Sequence, residues 1–284
     1  MKTAWKVAVT IGVFALFLTV FGVIAFFLSE GLGTASLSGG NVMVIPVYGA
    51  ITFGGCGGGL LTGALQCTQV PVFKKQLEAA EKDPSVKAVL LEINSGGGSV
   101  VASRELMRAV RDFEKPVVSW IGEVGASGAY YVASGSDHIM ADRDSLTGSI
   151  GVIMEVPHYY ELMDEVGVNV TVIKAGDSKD IGSPYRPMTE GEEDELQGIA
   201  DKIYQDFVGD VALNRNLEYG YVENLSQGQI YLGSEAKNLG LIDENGGFDE
   251  ALAKAASLGK IKGKPSVKKR EERVGLLDIL FQTP

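Results

Sequence analysis

Histidine is almost missing from this chain: its 284 residues contain two, His138 and His158. Neither lies near Cys56 or Cys67, the only cysteines, so no ligand spacing for a metal site exists and none is expected. No histidine follows His158, which excludes the residue order of an α/β-hydrolase, whose histidine comes late. Both histidines read as partly exposed structural residues. Positive charge is also scarce. Residues 31–259 carry 16 Lys and Arg against 32 Asp and Glu, and so acidic a body excludes nucleic acid as the expected partner. The phosphate-cradling pattern G-x-x-x-x-G-K does not occur, so no nucleotide and no other cofactor is expected.

What the chain does have begins with a long apolar run. Val7 to Ser29 is 23 residues without a charge, and a helix of that length spans roughly 34 Å, enough to cross a bilayer. Lys2 and Lys6 precede it and Glu30 follows. The positive-inside rule then puts residues 1–6 in the cytoplasm, residues 7–29 in the cell membrane as a single pass, and the body outside. A cleaved signal peptide is the rival reading, but its apolar core is shorter and the candidate cleavage site Thr34-Ala35-Ser36 is poor. Outside the cytoplasm Cys56 and Cys67, which bracket a Gly-rich loop, could form a disulfide, or they could remain two free thiols.

After a linker over residues 30–40, apolar strand-like and helix-like stretches alternate to about residue 259. Strands are expected at 41–47, 86–93, 116–121, 137–141, 149–153 and 169–173. Helices are expected at 70–83, 99–114, 129–133, 159–166, 232–239 and 247–258. The longest helix is marked by a capping box, Thr189 with Glu192. It carries an apolar stripe, Leu196, Ile199, Ile203, Phe207 and Val211, that reads as core. This is the βαβ rhythm of an α/β fold in one domain, 41–259, with ligands expected at the carboxyl ends of the strands. Residues 260–284 form a separate tail. Lys260 to Arg273 holds 7 basic against 2 acidic residues, and Val274 to Phe281 is apolar. It reads as a weakly ordered terminus, a contact for anionic headgroups, or a peptide for a neighbour's groove.

The chemistry centres on Gly125 to Tyr130, GASGAY, between a strand and a helix. On the first turn of a helix, Ser127 would lie near unpaired backbone N–H groups that favour developing negative charge. The same small residues would equally serve close packing. NSGGG, Asn94 to Gly98, reads as a tight turn whose glycine N–H groups could join that of Gly128 in polarising a carbonyl. An ordinary βα turn or a phosphate cradle would read the same. With histidine excluded, a base must be sought elsewhere. Lysine can serve where burial disfavours its charged form, and between Ser127 and Ala200 only Lys174 and Lys179 qualify, either of which could simply be a surface charge.

Four segments in order, EINSGGGSV (Glu92 to Val100), GEVGASGAYYVASGSD (Gly122 to Asp137), SLTGSIGVI (Ser145 to Ile153) and IKAGDSKDIGSPYRPMT (Ile173 to Thr189), resemble the signal peptide peptidase A family of membrane-anchored serine-lysine proteases, peptidase family S49. The resemblance implies an α/β fold of the Clp protease and crotonase type, with repeated ββα units, preceded by one transmembrane helix. It implies Ser127 as nucleophile, Lys179 as general base, Gly98 and Gly128 at the oxyanion hole, and Ser149 as a group that orients the lysine. It further implies remnant signal peptides or other apolar peptides as substrates, a homo-oligomer, and contact with the bilayer. Gly96 stands where relatives often have proline and Ala129 where many have glycine, which bears on loop stiffness rather than on a reacting group. A crotonase-like acyl-CoA enzyme, which would use a carboxylate in place of the Ser-Lys pair, and a non-catalytic membrane scaffold are the rival functions.

Overall fold

Strand and helix alternate along the chain because the apolar runs do. The computed structural model describes residues 40–56 and 66–269, so the apolar run 7–29, most of the linker, loop residues 57–65 and residues 270–284 lie outside it. No helix among the described residues is long and apolar enough to cross a membrane. One compact unit covers residues 39–267.

The elements begin with β1 (Val42–Thr52), β2 (Cys67–Gln69), α1 (Val70–Lys82), β3 (Ala88–Gly98), α2 (Val100–Arg111), β4 (Val117–Ala126) and α3 (Gly128–Ser134). They continue with β5 (His138–Ala141), β6 (Leu146–Gly148), α4 (Tyr160–Glu165), a one-turn 3-10 helix (Asp177–Asp180) and α5 (Glu190–Arg215). Next come α6 (Tyr219–Asn224), β7 (Ile230–Leu232), α7 (Gly233–Asn238), β8 (Glu244–Asn245) and α8 (Phe248–Leu258). The main sheet runs β2-β1-β3-β4-β5-β8, with every neighbouring pair parallel.

A parallel sheet needs cover on both faces, which explains the continuous apolar strands. Met43, Ile45, Val89, Leu91 and Ile121 point to one face, against Phe73, Leu77, Leu106, Val110 and the buried helix α3. Val42, Val44, Leu90 and Val118 point to the other, against Ala251 and Ala255 of α8. Trp120 closes that second layer, edge-on to Phe248 at 5.5 Å and donating its indole N–H to the Gly246 carbonyl at 3.2 Å. The expected disulfide position is occupied: Cys56 and Cys67 are joined, with their Cα atoms 5.5 Å apart, and the bond ties the segment after β1 to the start of β2.

Four expectations are corrected. Asn94 to Gly98 is not a turn but the end of β3, which pairs with β1 through Ile51 and Gly98 after a register shift. A Cβ on Gly98 would lie 2.1 Å from the Ile51 carbonyl oxygen, so only glycine allows the two backbones this close. The strand expected at 149–153 lies earlier, at β6, because Gly148 and Ser149, both at positive φ, turn the chain away from the ladder. Residues 169–173 form no strand and pair with none among the described residues. Finally, only the carboxyl half of the α5 stripe is core. Phe207, Val208 and Val211 are buried, whereas Ile199 is exposed and Leu196 and Ile203 are half-buried. No residue between Gly151 and Asp206 is buried, so this stretch is an arm that adds no buried side chain to the core, touching the body through partly covered residues such as Tyr204.

Candidate active site

The sheet forks where β4 ends. Its first half pairs with β5, and its last residues, Val124 to Ala126, pair instead with β6. Ser127 follows at this carboxyl end, where an open parallel sheet leaves a crevice. Its backbone sits at φ 53° and ψ −125°, a region that a residue with a Cβ rarely occupies. Two hydrogen bonds hold it there. The Ser127 N–H donates to the Gly148 carbonyl at 2.8 Å, and the Ser127 carbonyl accepts from the Tyr131 N–H at 2.9 Å as the first turn of α3. The seven residues of α3 are all buried, so the serine stands on a rigid base.

Glycines shape the space beside it. Gly97 has φ 103°, and a Cβ there would lie 2.7 Å from the Gly128 nitrogen and 3.1 Å from the Ser127 Cβ. A Cβ on Gly128 would lie 3.2 Å from the Gly98 nitrogen. The backbones of Gly97, Gly98 and Gly128 therefore converge on the serine, as an oxyanion site built from N–H groups requires. The glycine run is fixed from below: the buried Ser95 hydroxyl donates to the Gly49 carbonyl at 2.5 Å and accepts from the Gly97 N–H at 3.1 Å.

These residues open onto a pocket of about 30 Å³, lined by Gly98, Ser103, Ser127, Gly128, Tyr131 and Gly151, with Val100, Val152, Ile203 and Phe207 as apolar walls. Tyr131 stacks on Phe207 with ring centroids 4.2 Å apart. Its hydroxyl donates to Asp210 and accepts from the Arg104 Nε at 3.3 Å. Burial, reinforced by Asp210, pushes that phenol well above its ordinary range, so it stays protonated as a wall of the pocket.

Of the residues singled out from sequence, Ser127, Gly128 and Gly98 come together here. Ser149 follows Gly148, the acceptor of the Ser127 N–H, and its own N–H donates to the Gln229 carbonyl at 2.7 Å. Lys179 is elsewhere on the chain: it lies on the 3-10 turn of the arm, exposed, and is not among the residues lining the pocket. Lys174, the other candidate, is committed to Asp180 at 2.5 Å. His138 lies far along the sheet on β5, between Asp243 and Glu244, at 3.7 and 3.5 Å. Sequence reasoning missed Gly97, Ser103 and Tyr131. Gly97 was hidden inside a glycine run read as a turn, and nothing local marks which face of a helix will line a pocket.

Comparison with known proteins places these features in context. Residues 109–262 match the profile of Peptidase family S49. A candidate protease of Methanocaldococcus jannaschii is 46% identical over 208 residues, covering 72% of this chain and 67% of that protein. A candidate signal peptide peptidase SppA of Enterococcus faecium is 37% identical over 183 residues, 63% of this chain and 53% of its own length. Protease 4 of Haemophilus influenzae is 36% identical over 185 residues, 64% of this chain and 30% of its own length. The chain thus spans from less than a third to two thirds of these relatives. Among solved structures, the membrane-bound stomatin-specific protease 1510-N superposes with a TM-score of 0.50 over 83% of this chain and 96% of that one. At 17% identity that likeness speaks to the fold.

Proposed function

The chain belongs to peptidase family S49, a family of serine proteases with signal peptide peptidase and protease 4 relatives, and from that membership we propose that Ser127 is its nucleophile and Lys179 its general base in peptide-bond hydrolysis. The observation that carries the reading is the backbone of Ser127, held at φ 53° on the rim of a pocket whose other rim is the glycine backbone of Gly98 and Gly128. A strained serine pinned by its neighbours is pre-aimed, and strain of this kind persists only where the surroundings enforce it.

The chemical sequence follows from those positions. The neutral amine of Lys179 takes the hydroxyl proton as Ser127 Oγ attacks the scissile carbonyl. The N–H groups of Gly98 and Gly128 receive the oxyanion. Collapse breaks the C–N bond, and the proton on Lys179 passes to the leaving amine. Water, deprotonated by the same lysine, then hydrolyses the acyl-enzyme and returns the serine. Ser149, beside the Ser127 anchor, orients the lysine when it arrives.

Lys179 must be dry and close to act, and one chain leaves it wet. The arm that bears it displays Ile153, Leu162, Val166 and Ile173, all well exposed. Apolar side chains in such number on one stretch mark a surface meant to be covered. A second copy of the chain, covering the arm, completes the site in a homo-oligomer whose grooves admit extended peptides. The substrates are apolar peptides at the membrane, remnant signal peptides among them. Residues 7–29 anchor the protein with residues 1–6 in the cytoplasm and domain 41–259 outside, which suits a joined Cys56–Cys67 pair. Replacing Ser127→Ala or Lys179→Met and assaying cleavage of an apolar peptide tests the reading. Loss of 10³-fold or more is expected for each, on the scale of other serine nucleophiles and their bases; near-normal turnover by either variant overturns it.

A further inference from the structure

Asp180 follows Lys179 directly in sequence, an awkward neighbour for a lysine that must give up its charge. An anion within about 4–6 Å of an amine favours its protonated form. Yet among the described residues Lys179 makes no ion pair, because Asp180 is already claimed twice. Its Oδ1 accepts from the Lys174 Nζ at 2.5 Å and the Arg186 Nη2 at 2.9 Å, and its Oδ2 accepts from the Arg186 Nε at 2.9 Å.

Resting on the dyad reading, we propose that Arg186 and Lys174 are positioning residues that divert the Asp180 carboxylate away from Lys179, leaving the amine free to serve as the base. The clamp is built in both directions. Lys174 also donates to the Asp177 carbonyl at 2.6 Å, closing the loop over the turn that carries Lys179. Arg186 uses its other edge on Glu192, with Nη1 to Oε2 at 2.8 Å and Nη2 to Oε1 at 2.5 Å. Glu192 belongs to the capping box of α5, so the turn is moored to the start of the longest helix. Fork-to-fork pairing of this kind fixes direction as well as charge, which lysine in place of arginine would not do. The hydrogen bonds from Arg186 and then Lys174 hold the Asp180 carboxyl far below its ordinary range, as expected of a carboxylate whose two oxygens accept three charge-assisted bonds. Two cations face two anions here, so the cluster is neutral overall and acts on the neighbouring amine far more weakly than a bare carboxylate would. The remaining charged group of the turn, Asp177, forms no ion pair among the described residues.

The test is the pH dependence of kcat/KM for peptide cleavage by the full chain. Arg186→Met releases one side of Asp180, and the alkaline-rising limb is expected to shift up by about one pH unit, a tenfold loss of rate below the midpoint. Lys174→Met, which removes the other side, is expected to shift it in the same direction and serves should Arg186→Met fold poorly. The double variant Arg186→Met/Asp180→Asn has no carboxylate to divert, and its midpoint is expected to return to that of the wild type. A uniform loss of rate with no shift of midpoint, or no recovery in the double variant, overturns the inference and leaves a purely structural clamp. Lys179→Met with normal activity overturns the dyad itself, a separate outcome.

Discussion

Gly97 shows how finely single atoms set the serine's surroundings. Its φ of 103° is one that side-chain-bearing residues rarely adopt, and a methyl group would press 2.7 Å from the Gly128 nitrogen. Gly97→Ala must either move the Gly128 backbone or stay strained by about 1–3 kcal/mol. The expected result is a loss of kcat of about 10²-fold or more with a smaller effect on folding, read from single-turnover kinetics beside a thermal melt. Ser103 offers a contrast. Its hydroxyl is buried against Gly128 and finds no hydrogen-bond partner among the described residues, so Ser103→Ala is expected to leave stability within about 1 kcal/mol of the wild type, checked by urea denaturation.

At the scale of elements, the capping box that starts α5 also moors the arm. The Glu192 carboxylate accepts from Arg186 and from the Thr189 N–H, and these bonds lower it from its ordinary 4.5 to about 2. A depressed carboxyl contributes stability that is complete above the ordinary value and is lost as pH falls through the depressed one. The start of α5 is therefore expected to loosen between about pH 4.5 and 2, seen as faster amide exchange at Glu192 and Glu193, and Glu192→Gln should flatten that dependence. The disulfide belongs to the same scale. Closing a loop of this length stabilises by about 3 kcal/mol in the chain-entropy account, so reduction should lower Tm by about 6–12 °C. What the sequence made legible here is local. The Thr189–Glu192 box and the helices over 70–82 and 248–258 stand where period and cap chemistry put them. The glycine run was misread because a turn and a strand pressed against another backbone call for the same residue. Ile199 was misread because a helical stripe tells which side is apolar, not whether anything in the same chain covers it. The NSGGG glycines and Gly128 could be read as one carbonyl-polarising group beside Ser127, but singling out Gly98 took the ordered motifs, since their convergence depends on a register shift between β1 and β3 that no local pattern encodes.

For the whole molecule, the decisive fact is that the proposed nucleophile and the proposed base have opposite surroundings. Ser127 stands on a fully buried helix, while Lys179 rides on an arm with no buried residue from Gly151 to Asp206. A single chain with the exposed Ile153 and Ile173 facing water carries an apolar surface that association would remove. If a second copy covers the arm, a site can draw its serine from one chain and its lysine from the next around a closed ring. Two dead variants should then repair each other. Ser127→Ala supplies intact lysines and Lys179→Met intact serines, and in a random one-to-one ring about a quarter of the sites receive both. Co-assembled variants, confirmed as mixed oligomers by native mass spectrometry, are expected to recover about a quarter of wild-type peptidase activity, while either alone stays inactive. Mixed rings that remain inactive would put both groups in one chain, with the arm folding back onto its own body.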